Sequence, residues 1–89
     1  MLVVSYDIKD TKKRTRFSKM LTKNGAICLQ YSVYEVNNTN RILDNLMIKI
    51  EQFASDFDGG DSVIVFDVAG VKMKKYGNAI HRDVDLVFL

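Results

Sequence analysis

The first eight residues alternate between two kinds of side chain, as the two faces of a β-strand do. One face is uniformly apolar and consists of Leu2, Val4, Tyr6 and Ile8. The other face consists of Val3, Ser5 and Asp7. This pattern predicts a strand with one face covered by helices. Its opposite face ends in the carboxylate of Asp7, just before a strongly basic segment.

Helical spacing follows this strand. Asp10 suits the N-cap of a helix that runs to about Asn24, and Gly25 stands where helices commonly stop. The short apolar stripe of this helix is Phe17, Met20 and Leu21. A second helix is predicted from Arg41 to about Ser55. Its wide apolar stripe, typical of a core helix, is Ile42, Leu43, Leu46, Met47, Ile50, Phe53 and Ala54.

The other apolar stretches predict strands. Residues 26–37 are long for one strand, so either a turn near Gln30-Tyr31-Ser32 divides them or one strand bends. The next strand covers residues 62–68. Its two faces are Ile64, Phe66 and Val68 on one side and Val63, Val65 and Asp67 on the other. A last apolar strand is predicted near residues 84–89, where an exposed edge would invite pairing with another chain.

The order strand, helix, strand, strand, helix, strand is that of the ferredoxin-like split βαβ fold. We therefore predict an α+β domain with an antiparallel sheet, two helices on one of its faces, and an additional C-terminal strand. The other face stays open, and we expect Asp7 and Asp67 on it, together with Val3, Val63 and Val65. An open apolar face predicts a homodimer.

Composition agrees with a small globular protein. The chain length of 89 allows one domain, residues 1–89, and 47% of its residues are apolar. Cys28 is the sole cysteine, so an intrachain disulfide is excluded, as suits a reducing compartment. No leader segment is apparent and no apolar run reaches about 18 residues, so we expect a cytoplasmic protein with no membrane partner.

Positive charge is concentrated in one part of the chain. The net charge is only +2, but residues 11–34 carry +6 without any acid, which leaves −4 for the remainder. The basic residues are Lys12, Lys13, Arg14, Arg16, Lys19 and Lys23. Four of them share one helix face: Lys12, Arg16, Lys19 and Lys23. A face of this kind predicts an anionic partner.

Asp7 has two interpretations on the residues alone. A strand-end carboxylate beside basic side chains suits a metal or phosphate site. Asp7 could also simply end the strand and begin a turn, which this stretch by itself favours. His81, the sole histidine, has no evident catalytic partner, and Cys28 fits a small core residue.

Several segments together resemble a known family. They are Tyr6-Asp7-Ile8, Lys13-Arg14-Thr15-Arg16, Gly25, Gln30-Tyr31-Ser32-Val33-Tyr34-Glu35 and Asp61-Ser62-Val63. In order and spacing, residues 1–68 are similar to the CRISPR-associated protein two family, a small adaptation protein of bacterial immunity. The most specific part is the block Gln-x-Ser-Val-aromatic-Glu, in which Tyr34 stands where the family often has Phe.

The resemblance implies a ferredoxin-like homodimer whose open faces meet, with the two Asp7 side chains bracketing the twofold axis. It implies a complex with the CRISPR-associated integrase, protein one, in which the dimer spans duplex DNA for spacer acquisition. Some members are described as nucleases on RNA or DNA that depend on Mg²⁺ or another divalent metal. Asp7 is then the predicted metal ligand and catalytic residue. The predicted nucleic-acid contacts are Lys12, Lys13, Arg14 and Arg16.

Three functions stay open. They are an architectural subunit of the CRISPR integration complex, a stand-alone metal-dependent endoribonuclease of the toxin type, and a regulatory domain that binds a small ligand. The basic first helix argues against the third, which has no need of such charge.

The segment Val71–Tyr76 is expected to be a solvated loop or turn. For its lysines, contact with nucleic acid and a merely solvated position both stay open. They are Lys72, Lys74 and Lys75.

Overall fold

Six elements form the part of the protein that the computed structural model describes, residues 1–68 and 73–77. In chain order they are β1 (Leu2–Asp7), α1 (Thr11–Lys23), β2 (Ala26–Gln30), β3 (Val33–Val36), α2 (Asn40–Ala54) and β4 (Ser62–Asp67). The strands form one sheet in the order β2-β3-β1-β4, with every neighbouring pair antiparallel. This is the predicted ferredoxin-like α+β arrangement. The additional strand near residues 84–89, His81 and Lys72 lie outside the described residues.

Both helices cover the same face of the sheet, and the predicted buried face of β1 lies beneath them. The core consists of Leu2, Val4, Tyr6, Ile8, Phe17, Leu21, Ala26, Val36, Leu46 and Ile50. Phe17 of α1 lies at its centre. Its ring centroid is 4.9 Å from that of Tyr6 on β1 and 5.4 Å from that of Phe53 on α2, both edge-to-face. Aromatic contacts therefore join the sheet to both helices.

Local sequence sets the helix ends, and for α1 both ends lie where they were predicted. The Asp10 carboxylate caps α1 by accepting a hydrogen bond from the backbone N–H of Lys13 at 2.9 Å. The Thr39 hydroxyl caps α2 by accepting a backbone N–H at 3.3 Å. After α1, Gly25 has a φ of 90°, and a Cβ there would lie 2.9 Å from the Nδ2 of Asn38. Glycine is therefore required at this position.

Asn38 joins the two helix ends. Its Nδ2 donates to the carbonyl of Asn24, the C-cap of α1, at 3.0 Å. Its Oδ1 accepts from the backbone N–H of Thr39, the N-cap of α2, at 2.9 Å. One amide side chain thus fixes how closely the end of α1 approaches the start of α2.

A turn at Tyr31 and Ser32 separates β2 from β3, so the two-strand alternative is confirmed. Ser32 has a φ of 63°, in the left-handed region. Its carbonyl accepts a hydrogen bond from the backbone N–H of Tyr6 at 3.1 Å. The turn therefore holds the central strand β1 as well as closing the hairpin.

The two faces of β4 are the reverse of the prediction. Val63 and Val65 lie opposite residues of the buried face of β1 and pack against the core. Ile64 and Phe66 lie on the open face instead, and are 55% and 51% exposed. Both alternating sets of β4 are apolar, so the pattern alone could not choose between them. The register with β1 decides.

The expectation that Asp67 joins Asp7 on the open face is also wrong. Asp67 pairs with Leu2 at the start of β1, whereas Asp7 pairs with Ser62 at its end. Because the strands are antiparallel, the two aspartates lie at opposite ends of the sheet. Leu2 belongs to the helix-covered face, so Asp67 shares that face.

Residues 73–77 lie against the open face beside β2 and β3. The Nζ of Lys75 is 2.6 Å from Oε1 of Glu35, and Glu35 is only 7% exposed. A cavity of about 390 Å³ lies here, lined by Val3, Leu29, Gln30, Val33, Met73, Lys74, Lys75 and Tyr76. The expectation of a solvated segment is therefore wrong for Lys75, whereas Lys74 is exposed.

Candidate functional site

Asp7 is the last residue of β1, and its side chain is exposed at the edge of the open face. Pairing with β4 persists to this point, where Asp7 lies opposite Ser62. The ammonium of Lys9 is 3.2 Å and 3.1 Å from the two carboxylate oxygens. Both side chains are largely exposed, so this ion pair is weak and a ligand can displace Lys9 from Asp7.

A single carboxylate makes only part of a metal site. Among residues 1–68 and 73–77, no three His, Cys, Asp or Glu side chains lie together so that they could hold a metal ion. Mg²⁺ often takes only one or two protein carboxylates and completes its shell with water and phosphate oxygens. Asp7 fits one position in such a shell. The remaining ligands would have to come from water, from a second copy or from a nucleic acid.

The carboxylate of Asp61 accepts hydrogen bonds from within the chain. Its Oδ1 accepts from the backbone N–H of Lys9 at 2.9 Å, and its Oδ2 accepts from that of Asp58 at 3.0 Å. These two hydrogen bonds, that from Lys9 first, lower the pKa of Asp61. Asp61 therefore fastens the connection between α2 and β4 to the segment that follows β1.

Lys13 also contacts the connection between α2 and β4, which carries Asp56 and Asp58. Its Nζ donates to the carbonyl oxygen of Asp56 at 3.0 Å and lies 3.4 Å from Oδ2 of Asp58. Burial acts to lower the pKa of Lys13, but the hydrogen bond to Asp58 and the neighbouring carboxylates outweigh it and raise that pKa. A phosphate that approached Lys13 would therefore have to compete with these carboxylates.

The guanidinium of Arg14 also forms hydrogen bonds within the chain. Its Nη1 donates to the carbonyl of Ile8 at 3.2 Å, and its Nη2 donates to the hydroxyl of Thr11 at 3.3 Å. The guanidinium thus bridges the end of β1 and the start of α1. This contact explains a basic residue in the first turn of a helix, where positive charge opposes the helix dipole.

Lys12 and Arg16 are the two predicted contacts that the structure presents to solvent. Both are exposed. Within the described ranges, no carboxylate oxygen lies within 4.0 Å of either. Lys19 and Lys23 continue the same exposed face, as the helical spacing predicts. The four residues form the basic face of α1.

Lys49 is a basic residue that the sequence did not associate with this surface. A groove between the helices has Arg16, Lys19 and Lys23 on its α1 side and Lys49 on its α2 side. Spacing within one helix cannot reveal this, because the packing of the helices decides which residues of α2 face α1.

An apolar patch lies on the open face near Asp7. Ile64 is opposite Ser5, and Phe66 is opposite Val3. Exposed apolar side chains grouped on one sheet face are typical of protein interfaces. Asp7 stands at the edge of this patch, so a partner that covered the patch would approach its carboxylate.

Neither of the two helices described is long and apolar enough to cross a membrane.

Comparisons with known proteins give a family and a structural neighbour. The family model described as CRISPR associated protein Cas2 matches residues 1–78. The crystal structure of a hypothetical protein, TT1823 from Thermus thermophilus, is similar with a TM-score of 0.64. The two chains are 29% identical, and the similarity covers 85% of this chain and 90% of that one. No curated protein matches the chain.

Proposed function

This chain belongs to the Cas2 family of CRISPR-associated proteins, and from that premise we propose that it is an adaptation subunit that acts in spacer acquisition. It works in the cytoplasm as a homodimer, binds duplex DNA, and bridges the CRISPR-associated integrase. The observation that carries the proposal is the basic face of α1 in a chain of this family. That face offers four exposed cations for contact with phosphates.

Lys12 and Arg16 are the central DNA contacts of the proposal. Exposed cations contact phosphates with little rearrangement, and an arginine can form two parallel hydrogen bonds to one phosphate. Lys13 and Arg14, already bonded within the chain, support the position of α1 instead. The described residues contain no helix with an evident set of base-reading side chains, so binding is expected to be nearly independent of sequence.

The open face is the proposed dimer interface. Ile64 and Phe66 expose about half of their surface there, and burying such side chains against a second copy is favourable. A twofold dimer uses the same patch on both copies. It would bring two Asp7 residues to the edges of one interface and double the basic surface available to a duplex.

The test compares Lys12→Ala/Arg16→Ala with the control Arg41→Ala, which removes an exposed cation from α2 outside the groove that Arg16 lines. We expect the first variant to weaken every duplex alike and to reduce the slope of log affinity against log salt by about 0.9 for each lost phosphate contact. It should also impair spacer acquisition in cells that carry the integrase. Unchanged duplex binding, with the integrase present, would refute the scaffold function.

A second function is a metal-dependent nuclease on RNA or DNA, either within the complex or as a stand-alone, toxin-like endoribonuclease. The exposed carboxylate of Asp7 favours it, together with the general divalent-metal dependence of the family. A divalent metal, when bound, polarises a phosphodiester and lowers the pKa of water. Asp7 would hold that cation, and Lys9 would move off the carboxylate toward phosphate.

Asp7→Asn separates the two functions. It removes a charged oxygen ligand with almost no change in shape, so the fold persists. The scaffold function expects acquisition to continue in this variant. Loss of acquisition in a folded Asp7→Asn protein would mean that chemistry at Asp7 is what the complex needs.

A further inference from the structure

The groove between α1 and α2 has a composition that duplex binding does not explain. It has a volume of about 350 Å³ and lies on the side of the helices away from the open face. Its lining residues are Arg16, Lys19, Met20, Lys23, Asn24, Lys49, Gln52 and Phe53. Cations stand on both walls, and no carboxylate is among these residues.

The floor of the groove is apolar and fixed in place. Met20 and Phe53 are half-buried, and the ring of Phe53 packs edge-to-face on Phe17 of the core at 5.4 Å. The groove is held at both ends. Asn24 is bonded to Asn38 at one end, and Lys13 of α1 is bonded to the carbonyl of Asp56, just beyond α2, at the other. An apolar side chain could therefore enter a preformed recess.

We propose that this groove docks an acidic segment of a partner protein, which inserts a bulky apolar side chain over Met20 and Phe53. Carboxylates that flank the inserted side chain pair with Lys19, Lys23 and Lys49. The combination of an apolar anchor and surrounding opposite charge matches the floor and walls of the groove. A DNA duplex presents phosphates but no apolar group that fits the recess, so it would leave the floor uncovered.

The experiment is a ¹⁵N–¹H NMR titration of the full chain with short synthetic peptides. The probe has a central Leu-Phe pair flanked by Asp and Glu. One matched peptide carries Ala-Ala at the centre, and another carries Asn and Gln in place of the acids. We expect the probe to shift the signals of residues 16–24 and 49–53. The Ala-Ala peptide should bind about tenfold more weakly because it buries less apolar surface.

Two variants of α2 provide the matched comparison. Lys49→Glu reverses a charge in the groove, whereas Arg41→Glu reverses an exposed charge outside it. We expect Lys49→Glu to weaken the probe about fivefold through repulsion, and Arg41→Glu to leave it nearly unchanged. Lys49→Gln, which adds no like charge, should give a smaller loss in the same direction. All three variants keep Lys12 and Arg16, the proposed duplex contacts. Their duplex binding therefore tests the proposed function separately from peptide binding in the groove.

Three outcomes would overturn the proposal. The first is the absence of shifts in the groove residues at millimolar probe. The second is equal binding of the probe and the Ala-Ala peptide. The third is that a single-stranded oligodeoxynucleotide shifts the groove residues and loses affinity in Lys49→Glu while the acidic probe does not bind. That result would assign the groove to a nucleic acid.

Discussion

Lys75 and Glu35 form an ion pair on the open face of the sheet, with the Nζ of Lys75 2.6 Å from Oε1 of Glu35. Glu35 is the last residue of the Gln-x-Ser-Val-aromatic-Glu block and the one charged residue in the buried set of the described chain. Its partner comes from 40 residues later in sequence. The one acid of the family block therefore holds residues 73–77 against the sheet.

Removing the cation of this pair should destabilise the fold. Lys75→Met leaves the Glu35 carboxylate buried without its partner, and we expect the free energy of unfolding to fall by about 3 kcal/mol. Urea denaturation measures the change. Lys74→Met, at an exposed neighbouring position, is the control and should change the free energy by no more than about 0.5 kcal/mol.

The double variant Glu35→Gln/Lys75→Met checks the cause of that loss. With the carboxylate also neutralised, part of the stability should return, because no buried charge remains. If the double variant is as unstable as the sum of the single ones, the two side chains do not interact in solution.

The proposed dimer can be tested with two isoleucines of nearly equal exposure. Ile64 on the open face is 55% exposed and Ile48 on α2 is 54% exposed. We expect Ile64→Lys to shift the protein to monomer in sedimentation at micromolar concentration, because it places a charge in the buried interface. Ile48→Lys should leave the oligomeric state unchanged. Equal behaviour of the two variants would move the interface elsewhere, as would a monomeric parent.

Asp61 should contribute stability that depends on pH. Its folded-state pKa lies below the ordinary value of 3.8 because it accepts two backbone hydrogen bonds, that from Lys9 foremost. The stabilisation is therefore complete above that ordinary value and is lost as the pH falls through the lower, folded-state pKa. Asp61→Asn should be less stable than the parent at neutral pH, and the difference should shrink on acidification.

The control for this measurement is Asp44→Asn, an exposed aspartate on α2 for which the described chain provides no hydrogen-bond partner. In urea denaturation across the acidic range, the free energy of unfolding of Asp44→Asn should stay close to that of the parent. The difference in unfolding free energy between Asp61→Asn and the parent could instead stay constant down to the most acidic pH. In that case the carboxylate charge of Asp61 is not what stabilises the connection between α2 and β4.

Lys9 should compete with a divalent cation for Asp7. Its Nζ lies 3.1 Å from Oδ2 of Asp7, and both side chains are largely exposed. Lys9→Ala should therefore tighten Mn²⁺ or Mg²⁺ binding by only about threefold, in line with a weak surface pair. Calorimetric titration of the protein with the metal ion measures this. Asp7→Asn should abolish the binding, and a full heat of binding in that variant would place the metal at other residues.

Much of the fold follows from local signals in the sequence. The Asp10 cap, the Gly25 stop and the turn at Ser32 each depend on neighbouring residues, so their positions could be predicted closely. The orientation of β4 could not. Both of its faces are apolar: Val63 and Val65 are partly buried against the core, and Ile64 and Phe66 lie on the opposite, open face. Only long-range pairing with β1 reveals which is which.

The candidate site shows the same limit. Sequence placed Asp7 at an exposed strand end and Lys12 on a basic helix face, and the geometry agrees, although their functional roles stay predictions. It could not show that Lys13 is bonded to Asp56, which lies 43 positions away. It also could not show that Lys49 of α2 lies across the groove from the basic residues of α1. The packing of segments that are distant in sequence decides which cations are exposed and which form hydrogen bonds within the chain.

Asn38 has a consequence for how the protein opens. Since its side chain bonds both the C-cap of α1 and the N-cap of α2, neither end can fray without breaking a contact of the other. The two helix ends therefore form one cooperative unit of local unfolding. Their amide protons should exchange with solvent at one shared rate, slower than that of a single helix end. Asn38→Ala would separate them into two independently fraying ends.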